Sequence, residues 1–186
     1  MNRVKLNDIA EVSSGMSFRR YKSDSGEPCQ VIVQRSIQDG ILKDFDEVKL
    51  NPNRIKPHHL TQIGDVLMKM PYPYDVVCVG QPNLIISDRI AIIRLKEGYH
   101  PSFIAHLLTN AHVKKQLYEF ESTERIPHVS LRQIKELELI VPDYETQVKY
   151  GELLDTINEK IAEDLKLVQH DRNLKEGILN KLWEEH

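Results

Sequence analysis

The residues of this chain best suited to chemistry at another molecule's surface are cations and planar amides set beside aromatic rings. Ser17-Phe18-Arg19-Arg20-Tyr21-Lys22 places three cations and two aromatics just after the turn at Gly15. Gln34 and Arg35 follow the apolar run Val31-Ile32-Val33, which puts an amide and a guanidinium where a strand end meets a loop. Lys69 through Tyr74 is a Tyr- and Pro-rich connection whose aromatics, Tyr72 and Tyr74, could pack on sugars and base edges. Arg89 follows Ser87-Asp88 at the start of another apolar run, and Arg125 and His128 flank Ile126-Pro127. Lysine and arginine neutralise phosphates, while Arg pairs with guanine and Gln with adenine through base-edge hydrogen bonds. Arg19, Arg20, Lys22, Gln34, Arg35, Lys69, Tyr72, Tyr74, Arg89 and Arg125 are therefore the candidate contact set, with Arg54, Lys56, His58 and His59 a looser group. A solvated or simply packed loop is the alternative for each segment.

Other chemistries leave no comparable trace. The sequence has neither a GxxxxGK[ST] phosphate loop nor a GxGxxG turn between strand and helix. Asn51-Pro52-Asn53-Arg54 begins like the Asn-Pro-Pro-aromatic loop that holds a flipped base in adenine methyltransferases, but it lacks the second proline and the aromatic. It reads as a turn. Pro71-Tyr72-Pro73-Tyr74-Asp75 lacks the leading amide or acid and fails for the same reason. His58 and His59 are adjacent, and side chains one apart do not converge on a metal as i and i+4 do on a helix. Cys29 and Cys78 belong to no CxxC or Cys/His cluster and read as buried small hydrophobes. No nucleophilic triad follows from spacing, although triads are set by geometry. The expectation is a chain that performs no catalysis and binds no cofactor or metal itself.

The elements that must position these residues change character at Pro142. Before it, turn residues recur as Ser13-Ser14-Gly15, Asp24-Ser25-Gly26, Asp39-Gly40, Asn51-Pro52-Asn53 and Gly80-Gln81-Pro82-Asn83. Between them Val31–Val33, Val66–Met68, Val76–Val79, Leu84–Ile86 and Ile90–Ile93 are short β-branched runs that predict strands. Pro101 opens a predicted helix that runs toward Leu117, and a second, short helix follows Ser130 with Leu131, Ile134 and Leu137 on one face. Leu139-Ile140-Val141 then predicts a strand ending at Pro142.

After Pro142 the spacing is that of one long helix. Leu154, Ile157, Ile161, Leu165 and Val168 step by three and four, and Leu174, Ile178 and Leu182 resume the ridge beyond a polar stretch. This describes a coiled-coil seam of imperfect register, one that meets a partner helix. A terminal helix folded back on its own domain is the alternative. The chain thus divides into residues 1–142, an α+β domain, and 143–186, a dimerisation helix.

Composition is consistent with that division. Apolar residues at 40% and charged residues at 28% are those of a globular protein, and no apolar run is long enough for a membrane span. The amino terminus is charged where a signal peptide is apolar, so a cytoplasmic location is expected. The net charge of −3 hides an asymmetry: residues 1–142 hold 19 Lys+Arg against 17 Asp+Glu, and residues 143–186 hold 6 against 11. A domain at +2 cannot coat polyanions indiscriminately, so any such contact belongs to a local patch.

Several fragments in series resemble the type I restriction-modification DNA specificity domain. They are Lys5-Leu6-Asn7-Asp8-Ile9-Ala10-Glu11-Val12 with Ser14-Gly15 and Phe18, then Val33-Gln34 with Ile37 and Gly40, then Ile63-Gly64-Asp65-Val66-Leu67. Pro101 to Leu108, Ile126 to Leu131, Leu137 to Pro142 and Gln147 follow in matching order. The resemblance implies a mixed α/β target-recognition domain followed by a spacer helix, acting on double-stranded DNA. It also implies methyltransferase subunits that carry S-adenosylmethionine, with restriction and motor subunits able to join. Full specificity subunits hold two such units in tandem. With one unit, this chain is expected to be a naturally half-length subunit, one half of a split or truncated one, or an excised piece; if it works alone, a homodimer replaces the tandem arrangement and favours a bipartite inverted-repeat site. An interaction scaffold or inhibitor that occupies methyltransferase helices is the rival reading.

Overall fold

The apolar runs around Val66 and Ile92 are continuous rather than alternating because the sheet they form is covered on both faces. The structure, a computed structural model, describes residues 2–119 and 127–184. The chain opens with β1 (Asn2–Lys5), the single turn α1 (Leu6–Ile9) and β2 (Ala10–Ser14). It continues through β3 (Lys22–Ile32), the short pair β4 (Ile37–Gln38) and β5 (Ile41–Leu42), and β6 (Asp46–Leu50). Then come β7 (Val66–Lys69), β8 (Val76–Cys78), β9 (Ile85–Ile86) and β10 (Ile90–Leu95). Helices α2 (Pro101–Leu108), α3 (Ala111–Glu119) and α4 (Leu131–Lys135), strand β11 (Glu138–Val141) and helix α5 (Tyr144–Glu184) complete an α+β fold.

The central sheet is antiparallel, in the order β2-β10-β7-β8. Successive side chains point to opposite faces. Val66, Met68, Ala91 and Ile93 join a core with Ile104 and Leu108 of α2, Leu117 of α3 and Ile134 of α4. Leu67, Val77, Ile90 and Ile92 face the other way, onto Ile32, Ile37 and Ile86. A third cluster, Met16, Phe18, Val31, Val48, Leu50 and Ile85, lies against the sheet β6-β3-β9. Burying each such side chain contributes about 1.5–3 kcal/mol, and the three clusters share the strands that separate them.

Two local expectations are corrected. Asp24-Ser25-Gly26 is not a turn between elements but lies inside β3, where Leu50 of β6 pairs with both Lys22 and Glu27 and the residues between bulge out. A Cβ on Gly26 would stand 2.6 Å from the Leu50 backbone, so glycine there serves close approach. The predicted helix from Pro101 toward Leu117 is two helices, broken at Thr109 and Asn110. The Asn110 side chain accepts from the His112 N–H at 2.9 Å, a local bond that starts a new turn. The short helix after Ser130 forms as expected, with Ser130 and Gln133 capping its first turn.

The Gly64-Asp65 element builds a buried latch. Gly64 takes φ +86, which turns the chain so that the nearly inaccessible Asp65 carboxylate meets Arg94 of β10. Arg94 donates from Nε to Oδ1 at 2.9 Å and from Nη2 to Oδ2 at 3.2 Å, and Nη2 also reaches the Leu60 carbonyl at 2.8 Å. The Gln62 N–H adds a bond to Oδ2 at 2.9 Å.

The root of α5 is fastened to α2 by a polar and small-residue stripe. The buried Gln147 amide accepts from the His100 N–H at 3.0 Å and donates to the Pro142 carbonyl at 2.9 Å. One turn on, Gly151 lets the helices close up: a Cβ there would lie 2.7 Å from His100 Nδ1. Another turn on, Asp155 Oδ1 accepts from Ser102 Oγ at 2.6 Å and pairs with His106 Nε2 at 2.8 Å. Leu154 is half-buried at this root, but Ile157, Ile161, Leu165, Val168, Leu174, Ile178 and Leu182 are all exposed. The ridge is therefore not buried against its own domain, although Ile161 and Leu165 border a cleft with Asp39 and His106.

Removing one partner of a buried, hydrogen-bonded ion pair strands the other charge and costs about 3–5 kcal/mol. Arg94→Ala is expected to lose that much in urea unfolding, whereas Arg3→Ala, at the exposed pair with Glu138, loses less than about 1 kcal/mol.

Candidate nucleic-acid interface

Three loops emerge together because their strands are tied end to end. β3 and β9 are parallel, with Val31 opposite Ile85 and Ile32 opposite Ile86, so Gln34 and Ser87 leave the sheet at the same end. Met16, just after β2, donates to the Ile86 carbonyl at 2.7 Å and accepts from the Asp88 N–H at 3.1 Å. Ser87 N–H donates to the Ile32 carbonyl at 3.0 Å. Gly15 sits so close that a Cβ would stand 2.1 Å from the Ile86 oxygen. The three loops are thus cross-linked through backbone groups before any side chain is considered.

Each loop then exposes its polar end. Phe18 is buried in the third cluster and anchors a 3-10 turn, Phe18–Tyr21, that leaves Arg19 and Arg20 in solvent. A second 3-10 turn, Gln34–Ser36, is held by Ser36, whose hydroxyl donates to the Asp44 carbonyl and accepts from the Val33 N–H, both at 3.1 Å. Between these turns and Ser87-Asp88-Arg89 lies an open cleft of about 920 Å³. Arg19, Gln34, Arg35 and Arg89 all line it, with Asp46, Asp88 and His128. Four of the ten sequence candidates converge there, although they are spread over 71 positions from Arg19 to Arg89.

The others are distributed differently. Arg20 and Lys22 are exposed beside the cleft, outside its lining. Tyr72 is exposed on a loop fixed to the cleft rim, where Pro71 pairs with His128 and the Tyr72 N–H donates to the Pro127 carbonyl at 3.0 Å. Lys69 and Tyr74 are corrections. Lys69 is buried, its ammonium 2.6 Å from Asp75 Oδ2 across the β7–β8 turn, and Tyr74 is fully buried against the helical core. Both hold the domain together and neither faces a partner. Arg125 lies outside the described residues.

Asp46 escaped the sequence reading. It opens β6 opposite Val31, and its Oδ1 accepts from Arg35 Nε at 3.1 Å and from Arg35 Nη2. The hydrogen bond first, and the charge second, raise the guanidinium pKa further. The β4–β5 pairing returns the chain to Arg35 eleven residues later, and no signal in the sequence alone marks that return.

Two other groups of reactive side chains lie away from the cleft lining. Ser102, Asp155 and His106 meet, but serine and imidazole both end on one carboxylate oxygen, whereas a nucleophile relay needs the hydroxyl on the imidazole. His59 falls below its ordinary value through burial, then through the charges of His58 and Lys56, and so adds no cation to the looser group. Among the described residues no three His, Cys, Asp or Glu side chains are placed to hold a metal, and no helix is long and apolar enough to cross a membrane. Cys29 and Cys78 are half-buried, and burial, reinforced by Asp155 and Asp65, pushes the Cys78 thiol to about 11.

Comparison with known proteins gives the class. The sequence model of the type I restriction modification DNA specificity domain matches residues 1–169, and the chain belongs to that family. A chain from a structural study of complex assembly and conformational transition of the type I R-M system aligns at TM-score 0.65 and 15% identity over 87% of this chain. The HsdS subunit from Thermoanaerobacter tengcongensis aligns at 0.60 and 15% over 87%, and the type I S subunit from M. genitalium at 0.60 and 11% over 92%. At these identities the likeness is one of fold. This chain spans 39%, 38% and 42% of those three chains, about two fifths of their length.

Arg19→Ala and Arg89→Ala, at exposed cleft residues, are expected to leave unfolding free energy within about 0.5 kcal/mol, while Lys69→Met strands Asp75 and costs about 1–3 kcal/mol. With its thiol shifted to about 11, Cys78 stays protonated at pH 8, and maleimide should modify it at least about tenfold more slowly than a free cysteine.

Proposed function

We propose that this chain reads the sequence of double-stranded DNA through the cleft lined by Arg19, Gln34, Arg35 and Arg89, as the specificity component of a type I restriction-modification system. The observation that carries this reading is the convergence of three arginines and an amide, from three backbone-tied loops, in a chain of the specificity-domain family. Arginine and glutamine supply both requirements of duplex recognition, phosphate neutralisation and base-edge donors. Arg20, Lys22 and Tyr72 extend the contact surface along the rim.

Helix α5 supplies the assembly geometry. Its 41 residues span roughly 60 Å at ~1.5 Å per residue, and the exposed ridge from Ile157 to Leu182 pairs with the α5 of a second copy. Two recognition domains then face a bipartite site. The remaining helix surface docks methyltransferase chains, which bring S-adenosylmethionine and the reacting groups, and restriction and motor chains join them. Bond-making is left to those partners, and the assembly works in the cytoplasm. The exposed ridge equally supports a chain that occupies partner helices without reading DNA, and the measurements below separate the two.

Salt should move the two interactions in opposite directions. Phosphate contacts release counterions, so duplex affinity measured by fluorescence anisotropy falls as salt rises, and Arg19→Ala lowers the log–log slope by about one. Pairing two segments that each hold 6 Lys+Arg against 11 Asp+Glu brings like charge together, so dimerisation followed by sedimentation strengthens as salt screens the repulsion. Ile161→Asp with Leu165→Asp should abolish the dimer and leave duplex binding by each domain in place. A monomer at micromolar concentration with and without DNA would remove the dimer reading, and a chain that binds no duplex at low salt would remove the DNA reading.

A further inference from the structure

One cation in the cleft is held differently from its neighbours. Among the described residues Arg19 and Arg89 make no ion pair, whereas Arg35 has Nε 3.1 Å from Asp46 Oδ1 and Nη2 on the same oxygen. Asp46 belongs to β6, in register with Val31 of β3, and Arg35 leaves β3 four residues later on the turn fixed by Ser36. Both partners therefore stand on backbone that the sheet holds in place. The carboxylate is not seated there to stabilise the fold, since the Arg35 side chain is 67% exposed and a pair so exposed contributes little.

A guanidinium carries five N–H donors in one plane. Asp46 occupies the edge formed by Nε and Nη2. The end formed by Nη1 and Nη2 is left with two parallel donors turned away from the carboxylate, and that fork matches O6 and N7 of guanine in the major groove. The same pairing neutralises the charge of Arg35, which weakens its pull on phosphate while fixing its direction. Phosphate binding needs charge and tolerates mobility, and base reading needs the reverse.

We propose that Arg35 is a guanine-reading residue of this cleft and that Asp46 is its positioning residue, which sets base preference without itself contacting DNA. Arg19 and Arg89 neutralise the phosphates on either side. The inference rests on the DNA reading above and adds to it a division of labour among the three arginines and the identity of one base.

The test enriches duplexes from a randomised pool on the full-length chain and on Asp46→Asn, Arg35→Lys and Arg19→Ala. The wild-type chain should retain one G·C pair discriminated at least about tenfold over the other three pairs. Asp46→Asn and Arg35→Lys should lower discrimination at that pair to below about threefold while other positions stay as they were; the salt slope should stay unchanged in Arg35→Lys and steepen by up to about one in Asp46→Asn, which unmasks the Arg35 charge. Arg19→Ala should keep every preference and lose about one from the salt slope. Arg35→Lys alters an exposed side chain and keeps the charge, so it decides the matter even where Asp46→Asn fails to fold. Full retention of the guanine preference in Arg35→Lys, or an equal loss of preference at all positions, overturns the proposal. Duplex binding by the wild type without enrichment of any base overturns it too and leaves the DNA reading standing. Failure of the wild type to retain any duplex removes both.

Discussion

The contact between α5 and α2 is the constraint on which the molecule's architecture depends. Gln147, Gly151 and Asp155 recur every four residues, and each meets α2 or its cap: an amide on the His100 N–H, a bare backbone under the His100 ring, a carboxylate between Ser102 and His106. Because this stripe is polar and small, the helix buries none of its large apolar side chains beyond Leu154, and only Ile161 and Leu165 border a cleft shared with its own domain. Had the helix docked through Ile157, Ile161 and Leu165, the ridge would be core, and nothing would remain to meet a partner. The β1–β11 ribbon reinforces the root, since Asn2 pairs with Val141 directly before Pro142 and ties the chain's first strand to the base of the helix.

The cleft depends on a different arrangement. Its loops are short, and each is closed by backbone hydrogen bonds to the next, from Met16 to Ile86, from Asp88 to Met16 and from Ser87 to Ile32. Beneath them Phe18, Val31 and Ile85 are packed together, so the rigid layer extends to the base of each polar tip. Positions that look like flexible surface in sequence are therefore held by the same strands that build the core.

Much of this was legible beforehand. The change of hydrophobic period at Pro142 is written in residue spacing, and so are the apolar strands, because a sheet buried on both faces leaves unbroken β-branched runs. Other features were hidden because they depend on which residues the folded pairing brings face to face. Lys69 and Arg89 look alike as cations at the end of apolar runs, but only Lys69 has an acid, Asp75, facing it across a tight strand pair. Asp24-Ser25-Gly26 has the composition of a turn, yet β6 holds it as a bulge, since tertiary pairing outweighs local preference. The break at Thr109 and Asn110 left the apolar spacing nearly intact on both sides, so periodicity alone joined α2 to α3. Asp46 was missed because its role belongs to Arg35, and pairwise geometry of that kind is not encoded by either residue alone.

The fastening of Gln147 has a consequence for how the root of α5 responds to salt. An uncharged amide bound to two backbone groups, and a glycine in van der Waals contact with an imidazole, feel little of the ions in solution. The arginines of the cleft feel them strongly. The part of the root that Gln147 and Gly151 hold is thus insulated from ionic conditions, whereas the Asp155–His106 contact one turn further along carries a carboxylate charge and shares the sensitivity of the cleft arginines.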